Sequence, residues 1–257
     1  MDQELLQVSG IETETVRAEL LSPAELDARL SQQSIVYLPL GTLEFHGPHL
    51  PIGLDALTAH GVCVDAASRA GGVVAPAVYQ GFGGGHGRYP WTIMMADGEG
   101  IAAHLWATFA RLEDLGVETA VVFSGHFAPE QLDLIDRVAA EWNGDGTHAL
   151  RVVATAVNRC ESAPLAPDHA GRFETTLLAG IRPDLVRLDR LPGLEEHPAD
   201  DPGDDAYGEH RHERDHPLWG VFGPDPRGAD LAEGSRLLGH LGEWLAGLAT
   251  GSAAAGA

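Results

Sequence analysis

Three stretches of the chain place histidine beside carboxylate at points where an apolar run ends. The first reads Gly41-Thr42-Leu43-Glu44-Phe45-His46-Gly47-Pro48-His49-Leu50-Pro51-Ile52-Gly53-Leu54-Asp55. Glu44 and His46 are two apart and project to the same side of an extended segment, and the glycines and prolines that follow let the chain fold back to bring Asp55 to them. Carboxylate, imidazole and carboxylate make a ligand set suited to Zn, Mn or Fe(II). The second stretch, Ser124-Gly125-His126-Phe127-Ala128-Pro129-Glu130, offers a histidine freed by the glycine before it. The third, Asp168-His169-Ala170-Gly171-Arg172-Phe173-Glu174-Thr175-Thr176, is a loop passing into a helix, where His169 is a candidate acid or base and Glu174 a candidate ligand, or the group that orients one. Three such loops together exceed what solvation alone requires, and their chemistry points to a metal site.

Each motif needs an element that ends just before it, because sites in open parallel sheets form where strands stop and loops begin. The sequence supplies those elements. Ser22-Pro23-Ala24-Glu25 combines a capping hydroxyl, a proline at the first helical position and a carboxylate three residues after the cap, which predicts a helix to about residue 30. The apolar run 35–40 predicts a strand buried on both faces, ending at Gly41. Alternation follows: helix 56–69, strand 73–78, helix 100–115, strand 117–123, helix 129–142 and strand 150–157. Strands separated by single helices imply βαβ units, and hence an α/β fold with a mostly parallel central sheet flanked by helices on both faces. No Pro/Ser-rich linker divides the chain, so residues 1–257 read as one domain.

Composition narrows the partners. The 257 residues carry 16 Lys plus Arg against 38 Asp plus Glu, a formal charge of −22, which disfavours nucleic acid and anionic membrane and leaves a small molecule or a metal cation. With 44% hydrophobic residues a sizeable core can form. No segment approaches the ~18 apolar residues of a membrane span, and the N-terminus lacks the basic start and apolar run of a signal peptide, which reads as a cytoplasmic protein. Cys63 and Cys160 read as buried small hydrophobes. The acidic, histidine-containing stretch 195–215 has no apolar period and reads as a solvated loop, and 249–257, built from Ala, Gly, Thr and Ser, as a fraying tail.

The run Glu44-Phe45-His46-Gly47-Pro48-His49-Leu50-Pro51 with Asp55, then Gly125-His126, then His169-Ala170-Gly171 with Glu174-Thr175, resembles the creatininase (creatinine amidohydrolase) family in order and spacing. Tyr89-Pro90-Trp91-Thr92-Ile93 is similar to the family's Phe-Pro-Gly-Thr segment, and Trp219-Gly220-Val221-Phe222-Gly223 with Asp225-Pro226 to its Gly-Val-x-Gly-Asp-Pro segment before the last helix. The resemblance implies a creatininase-like fold, two adjacent divalent metals and a homo-oligomer, often a hexamer. Carried over by position, it implies that Asp55 bridges the metals, that Glu44 binds one and His46 the other, and that His126 completes a shell. A water bridging such a pair is deprotonated near neutral pH and attacks a carbonyl carbon, and His169 then serves as proton donor to the leaving group. Family members act on cyclic amides, on formamido groups of pyrimidine intermediates, on the end of a modified peptide and on oxidised inositols.

The sequence also departs from the family. Creatininase has a glutamate ligand two residues after the histidine matching His126, where this chain has Ala128, and other relatives have Gly-Gly-Asn after that histidine. Glu174 is the expected replacement carboxylate, counted with His169 among the catalytic candidates and with Glu44, His46, Asp55 and His126 among the metal ligands. Glu130 is a weaker substitute. The glycine-rich segment 81–88 lacks the Gly-Lys-Ser/Thr of a phosphate loop and is expected to be a flexible rim, from which His86 and Arg88 are candidates to touch substrate. Trp91 stands where relatives have glycine and is expected to narrow the pocket, and His49 to support the loop rather than bind metal. The expected function is a metal-dependent hydrolase of a small cyclic or amide-like substrate. The alternatives are ring opening of an oxidised inositol, a non-catalytic binding or assembly member, and, last, an acidic metal-storage protein using the 195–215 stretch.

Overall fold

Mostly apolar runs that each contain β-branched residues form the middle of the molecule. In the computed structural model, which describes residues 16–196 and 205–252, β1 (Ile35–Leu40), β2 (Val73–Val74), β3 (Thr119–Ser124) and β4 (Arg151–Ala156) make an all-parallel sheet in the order β2-β1-β3-β4. β1 and β3 pair along their full lengths, from Ile35 with Thr119 to Leu40 with Ser124, so both strands end level with each other. That shared end is where two of the three motifs begin.

Because side chains alternate along a strand, each strand feeds two cores. Ile35, Tyr37, Val121 and Phe123 pack on one face against α2 (Leu54–Ala70), α5 (Arg172–Ile181) and α6 (Gly234–Thr250), through Val62, Cys63, Phe173, Leu177, Leu241 and Leu245. Val36, Leu40, Ala120, Val122 and Val152 pack on the other against α3 (Glu99–Asp114) and α4 (Pro129–Gly144), through Ile101, Leu105, Phe109, Leu134, Val138 and Trp142. The described residues thus form one α/β domain with helices on both faces of the sheet, as the alternation predicts. A smaller cluster of Leu50, Leu54, Ala170, Leu178, Leu218 and Val221 lies behind the loops that carry the first and third motifs.

Local signals place most boundaries well. α1 (Pro23–Gln32) starts with the expected capping box, in which Ser22 accepts from the Glu25 N–H and Glu25 accepts from the Ser22 N–H. The strand expected over 73–78 is shorter: only Val73 and Val74 pair with β1, and Val78 makes an isolated bridge to Leu40. Pro76 explains the break, since it has no N–H to donate to a ladder. The tail expected from 249 also starts later, because Ala249 is buried inside α6 and the helix runs to Thr250. The N-terminal segment, 197–204 of the acidic stretch and 253–257 lie outside the described residues.

The described part of that stretch is not simply solvated. A short 3₁₀ turn, Glu209–His212, buries Arg211, whose guanidinium donates to the carbonyls of Val221 and Gly223, and His212 Nδ1 meets the Tyr89 hydroxyl at 2.5 Å. These contacts fasten it to the segment 221–223 and to Tyr89, just after the glycine-rich segment. Cys63 and Cys160 are buried free thiols, as expected. Among the described residues no helix is long and apolar enough to cross a membrane.

Candidate metal centre

Asp55 sits in the first turn of α2, where the helix N-terminus favours a carboxylate. The ends of β1 and β3 pin it there through two glycines: a Cβ on Gly41 would fall 2.2 Å from the Ala56 nitrogen, and one on Gly125 would fall 2.0 Å from the Asp55 carbonyl oxygen. Only hydrogen fits at either place, so the helix start wedges between the two strands and its carboxylate emerges at the carboxyl edge of the sheet.

Around Asp55 the other predicted residues converge. His46 Nε2 lies 3.0 Å from Asp55 Oδ1 and 3.6 Å from Glu174 Oε2. His126 Nδ1 lies 3.0 Å from Glu44 Oε2 and 3.3 Å from Asp55 Oδ2. Two sets of donor atoms compact enough for an ion therefore share one residue, with Glu44, Asp55 and His126 on one side and His46, Asp55 and Glu174 on the other. Glu44, His46 and His169 form a third such set. All five predicted ligands are buried, at 5% exposure or less.

Hydrogen bonds outside the cluster fix which atoms face it. His46 Nδ1–H donates to the Glu44 carbonyl at 3.0 Å, leaving Nε2 turned inward, and His126 Nε2–H donates to the Phe82 carbonyl at 3.1 Å, leaving Nδ1 inward. His169 Nε2–H donates to the Phe45 carbonyl at 3.1 Å, and its ring lies 4.4 Å from that of His46. Asp168 caps α5 by accepting from the N–H groups of Gly171, Phe173 and Glu174, which sets the helix turn that carries Glu174. Ala170 adopts a left-handed conformation, φ 57°, and its N–H donates to Glu174 Oε2 at 2.6 Å. Asp168 is legible in the sequence as a cap by its type and its distance from the helix.

The electrostatics are those of crowded, desolvated charge. Burial opposes a charged His46, but Asp55 and Glu174 outweigh it and push the imidazole up to about 10. Burial likewise opposes a charged His126, and Asp55 and Glu44 push it up to about 10. Burial raises Glu44, yet His169, His126, His86 and His46 hold its carboxyl well below the usual range. Burial lifts Glu174 well above that range, with Asp55 and Asp168 adding to it against the pull of His46. Burial, with His46 beside it, pushes His169 down to about 3, so it is a neutral base. Protonated His46 and His126, with Glu174 held neutral, thus offset the negative charge of Glu44 and Asp55.

Divalent ions fit that requirement better than protons do. His46 Nε2 and Asp55 Oδ2 are fully buried yet make no well-formed hydrogen bond, the situation of ligand atoms aimed at a common centre rather than at one another. The mixed N/O donor set suits Zn or Mn.

Several expectations are corrected. Trp91 does not narrow the pocket: it is 79% exposed and is not among the cavity-lining residues. Its backbone is left-handed, φ 60°, the conformation glycine adopts without strain, and its side chain stands in solvent. Glu130 is no ligand, since Oε2 accepts from the Gly84 N–H at 3.2 Å. Arg88 lies over the Tyr89 ring rather than in the cavity. His49 behaves as expected, buried with Nε2 3.2 Å from the Thr175 hydroxyl beside Glu174. His86 reaches the cavity and its Nδ1 contacts Glu44 Oε1, a contact across 42 residues that no local spacing announces.

The cavity above the cluster is about 260 Å³. Phe127, Ala128 and Pro129 give it an apolar wall, Gly84 and His86 a second wall, and among the described residues no Arg lines it.

Comparison with known proteins bears on this centre. The family profile described as "Creatininase: Creatinine amidohydrolase" matches residues 19–249. A creatinine amidohydrolase of Pseudomonas putida is 29% identical over 188 residues, covering 65% of this chain and 72% of that protein. A mycofactocin precursor peptide peptidase of Mycolicibacterium smegmatis is 30% identical over 167 residues, covering 63% of each chain, so the match spans less than two thirds of that peptidase's length. A crystal structure of creatininase superimposes with a TM-score of 0.69 at 25% identity, over 91% of this chain and 96% of that one. A structure described as creatininase with Mn matches with the same scores and coverage.

Proposed function

The chain belongs to the creatininase family and is a hydrolase, and from that premise we propose that it uses two divalent ions held by Glu44, His46, Asp55, His126 and Glu174 to cleave the C–N bond of a small amide. One observation carries this most directly: the two oxygens of Asp55 face two different histidines, 3.0 Å from His46 and 3.3 Å from His126, as a carboxylate bridging two ions requires. When bound, such ions polarise a carbonyl and acidify a water.

The protein's own groups supply the rest. The Phe45 carbonyl holds the Nε2–H of His169, which leaves its other nitrogen with the lone pair, and burial keeps the ring neutral. His169 therefore begins as an acceptor: it takes a proton from the water that adds to the carbonyl carbon and delivers it to the departing nitrogen as the C–N bond breaks. This refines the expected role of proton donor. A cavity of about 260 Å³ admits a small ring or the end of a chain, and the carboxylates of Glu44, Asp55 and Glu174 in its lining, with no Arg among the described lining residues, disfavour an anionic reacting end.

Elemental analysis of protein purified without added metal, together with hydrolysis of a panel of small linear and cyclic amides, tests the proposal. About two ions per chain are expected in wild type by the two-metal arrangement, and far fewer, with no turnover, in Asp55→Ala. A wild type without metal overturns it.

A further inference from the structure

The two halves of the centre are supported by different parts of the chain. On the His46–Glu174 side the outer contacts come from the ligands' own loops, through the Glu44 carbonyl to His46 Nδ1 and the Ala170 N–H to Glu174. On the Glu44–His126 side both outer contacts come from one remote segment, residues 81–88. Its Phe82 carbonyl accepts from His126 Nε2–H at 3.1 Å, and its His86 Nδ1–H donates to Glu44 Oε1. The latter leaves Oε2 as the oxygen that faces His126.

The segment is tied down rather than loose. Gly83, Gly84 and Gly85 all have positive φ, a path closed to most side chains, and a Cβ on Gly83 would fall 2.6 Å from Glu130 Oε2. The Phe82 N–H donates to Gln131 Oε1 at 3.1 Å and the Gly84 N–H to Glu130 Oε2 at 3.2 Å, both on the first turn of α4. Gln131 Nε2 in turn donates to the Ser124 hydroxyl at the end of β3, two residues before His126. The glycine-rich segment, α4 and the His126 loop therefore form one closed circuit around a single half of the centre.

We propose that residues 81–88 are a clamp for the ion held by Glu44, Asp55 and His126, with His86 as a positioning residue that fixes which oxygen of Glu44 faces that ion. The proposal rests on the two-ion centre above. Loss of such an outer contact typically loosens a metal by roughly 10–100-fold. No residue of this segment hydrogen-bonds to His46 or Glu174, so the affinity of that side is expected to be unchanged.

The test is stepwise loading of the metal-free protein with Zn²⁺ in competition with a chelator, for wild type, His86→Ala, His86→Asn and Glu130→Ala. His86→Ala is expected to weaken one of the two binding steps by roughly 10–100-fold and leave the other unchanged. His86→Asn, which keeps an N–H for Glu44, recovers most of the loss. Glu130→Ala, which touches no ligand, weakens the same step to a smaller extent and keeps the clamp testable should His86→Ala fold poorly. Two ions in wild type with both steps unmoved in the variants, or both weakened equally, overturn the clamp alone. Fewer than two ions in wild type overturn the two-ion centre and the clamp with it.

Discussion

At the scale of single residues the site is a problem of protons. His169 is tied through Nε2 to Phe45 and pushed down to about 3 by desolvation and the neighbouring His46, so its other nitrogen stands neutral and able to take a proton. His169→Ala is expected to lower kcat by roughly 10²–10⁴-fold while the metal content stays at the wild-type value; metal lost in parallel would make it a ligand instead. His49 makes a separate prediction about stability. Burial, with His46 nearby, pushes it down to about 3, whereas an unfolded histidine titrates near 6.5. The folded state disfavours the protonated form, so this contribution is fully present above about pH 6.5 and is lost as pH falls towards about 3. The full effect is on the order of 5 kcal/mol. Thermal melts between pH 7 and pH 4 should therefore fall less steeply for His49→Gln than for wild type. The identity of every proposed ligand could be read from residue types beside apolar runs, yet the protonation of each could not, because burial and neighbours decide it.

At the scale of elements, the centre depends on how closely α2 enters between β1 and β3. Gly41 and Gly125 are conformationally ordinary, and what matters is the missing Cβ. Gly125→Ala would drive a methyl into the Asp55 carbonyl, displacing the helix start or the His126 loop, at a cost of about 1–3 kcal/mol or more as overpacking. The expected outcome is a folded but less stable protein with reduced metal uptake, read by calorimetry and elemental analysis; unchanged uptake would show that Asp55 does not need this wedge. The strands and helices themselves were largely legible, since the runs 35–40 and 117–123 and the capping box at Ser22 announce their elements. β2 was over-extended, because its apolar run continues past the point where Pro76 ends the ladder.

At the scale of the whole molecule, a chain of formal charge −22 concentrates the buried carboxylates Glu44, Asp55, Asp168 and Glu174 around one site. Ions that bind only the folded state stabilise it by RT ln(1 + [L]/Kd), about 4 kcal/mol at a thousandfold excess over Kd. For a domain of this size that corresponds to roughly 8–16 °C in Tm at 2–4 °C per kcal/mol. Chelation should lower Tm by an amount of that order, and re-addition of Zn²⁺ or Mn²⁺ should restore it in a concentration-dependent way. A Tm indifferent to chelator would mean that the carboxylates are balanced by protons alone.

The sequence by itself determined the α/β alternation, the three motifs at strand ends and the family, because apolar periodicity, capping chemistry and a long contiguous motif are local properties of the chain. Tertiary structure alone decided that Glu174 belongs to the set with His46, that Trp91 faces solvent, and that His86 reaches Glu44. Those facts depend on where separate loops meet once the sheet has been covered on both faces. Contacts such as His86 with Glu44 and His46 with Glu174, 42 and 128 positions apart, leave no periodic or local trace in a single sequence.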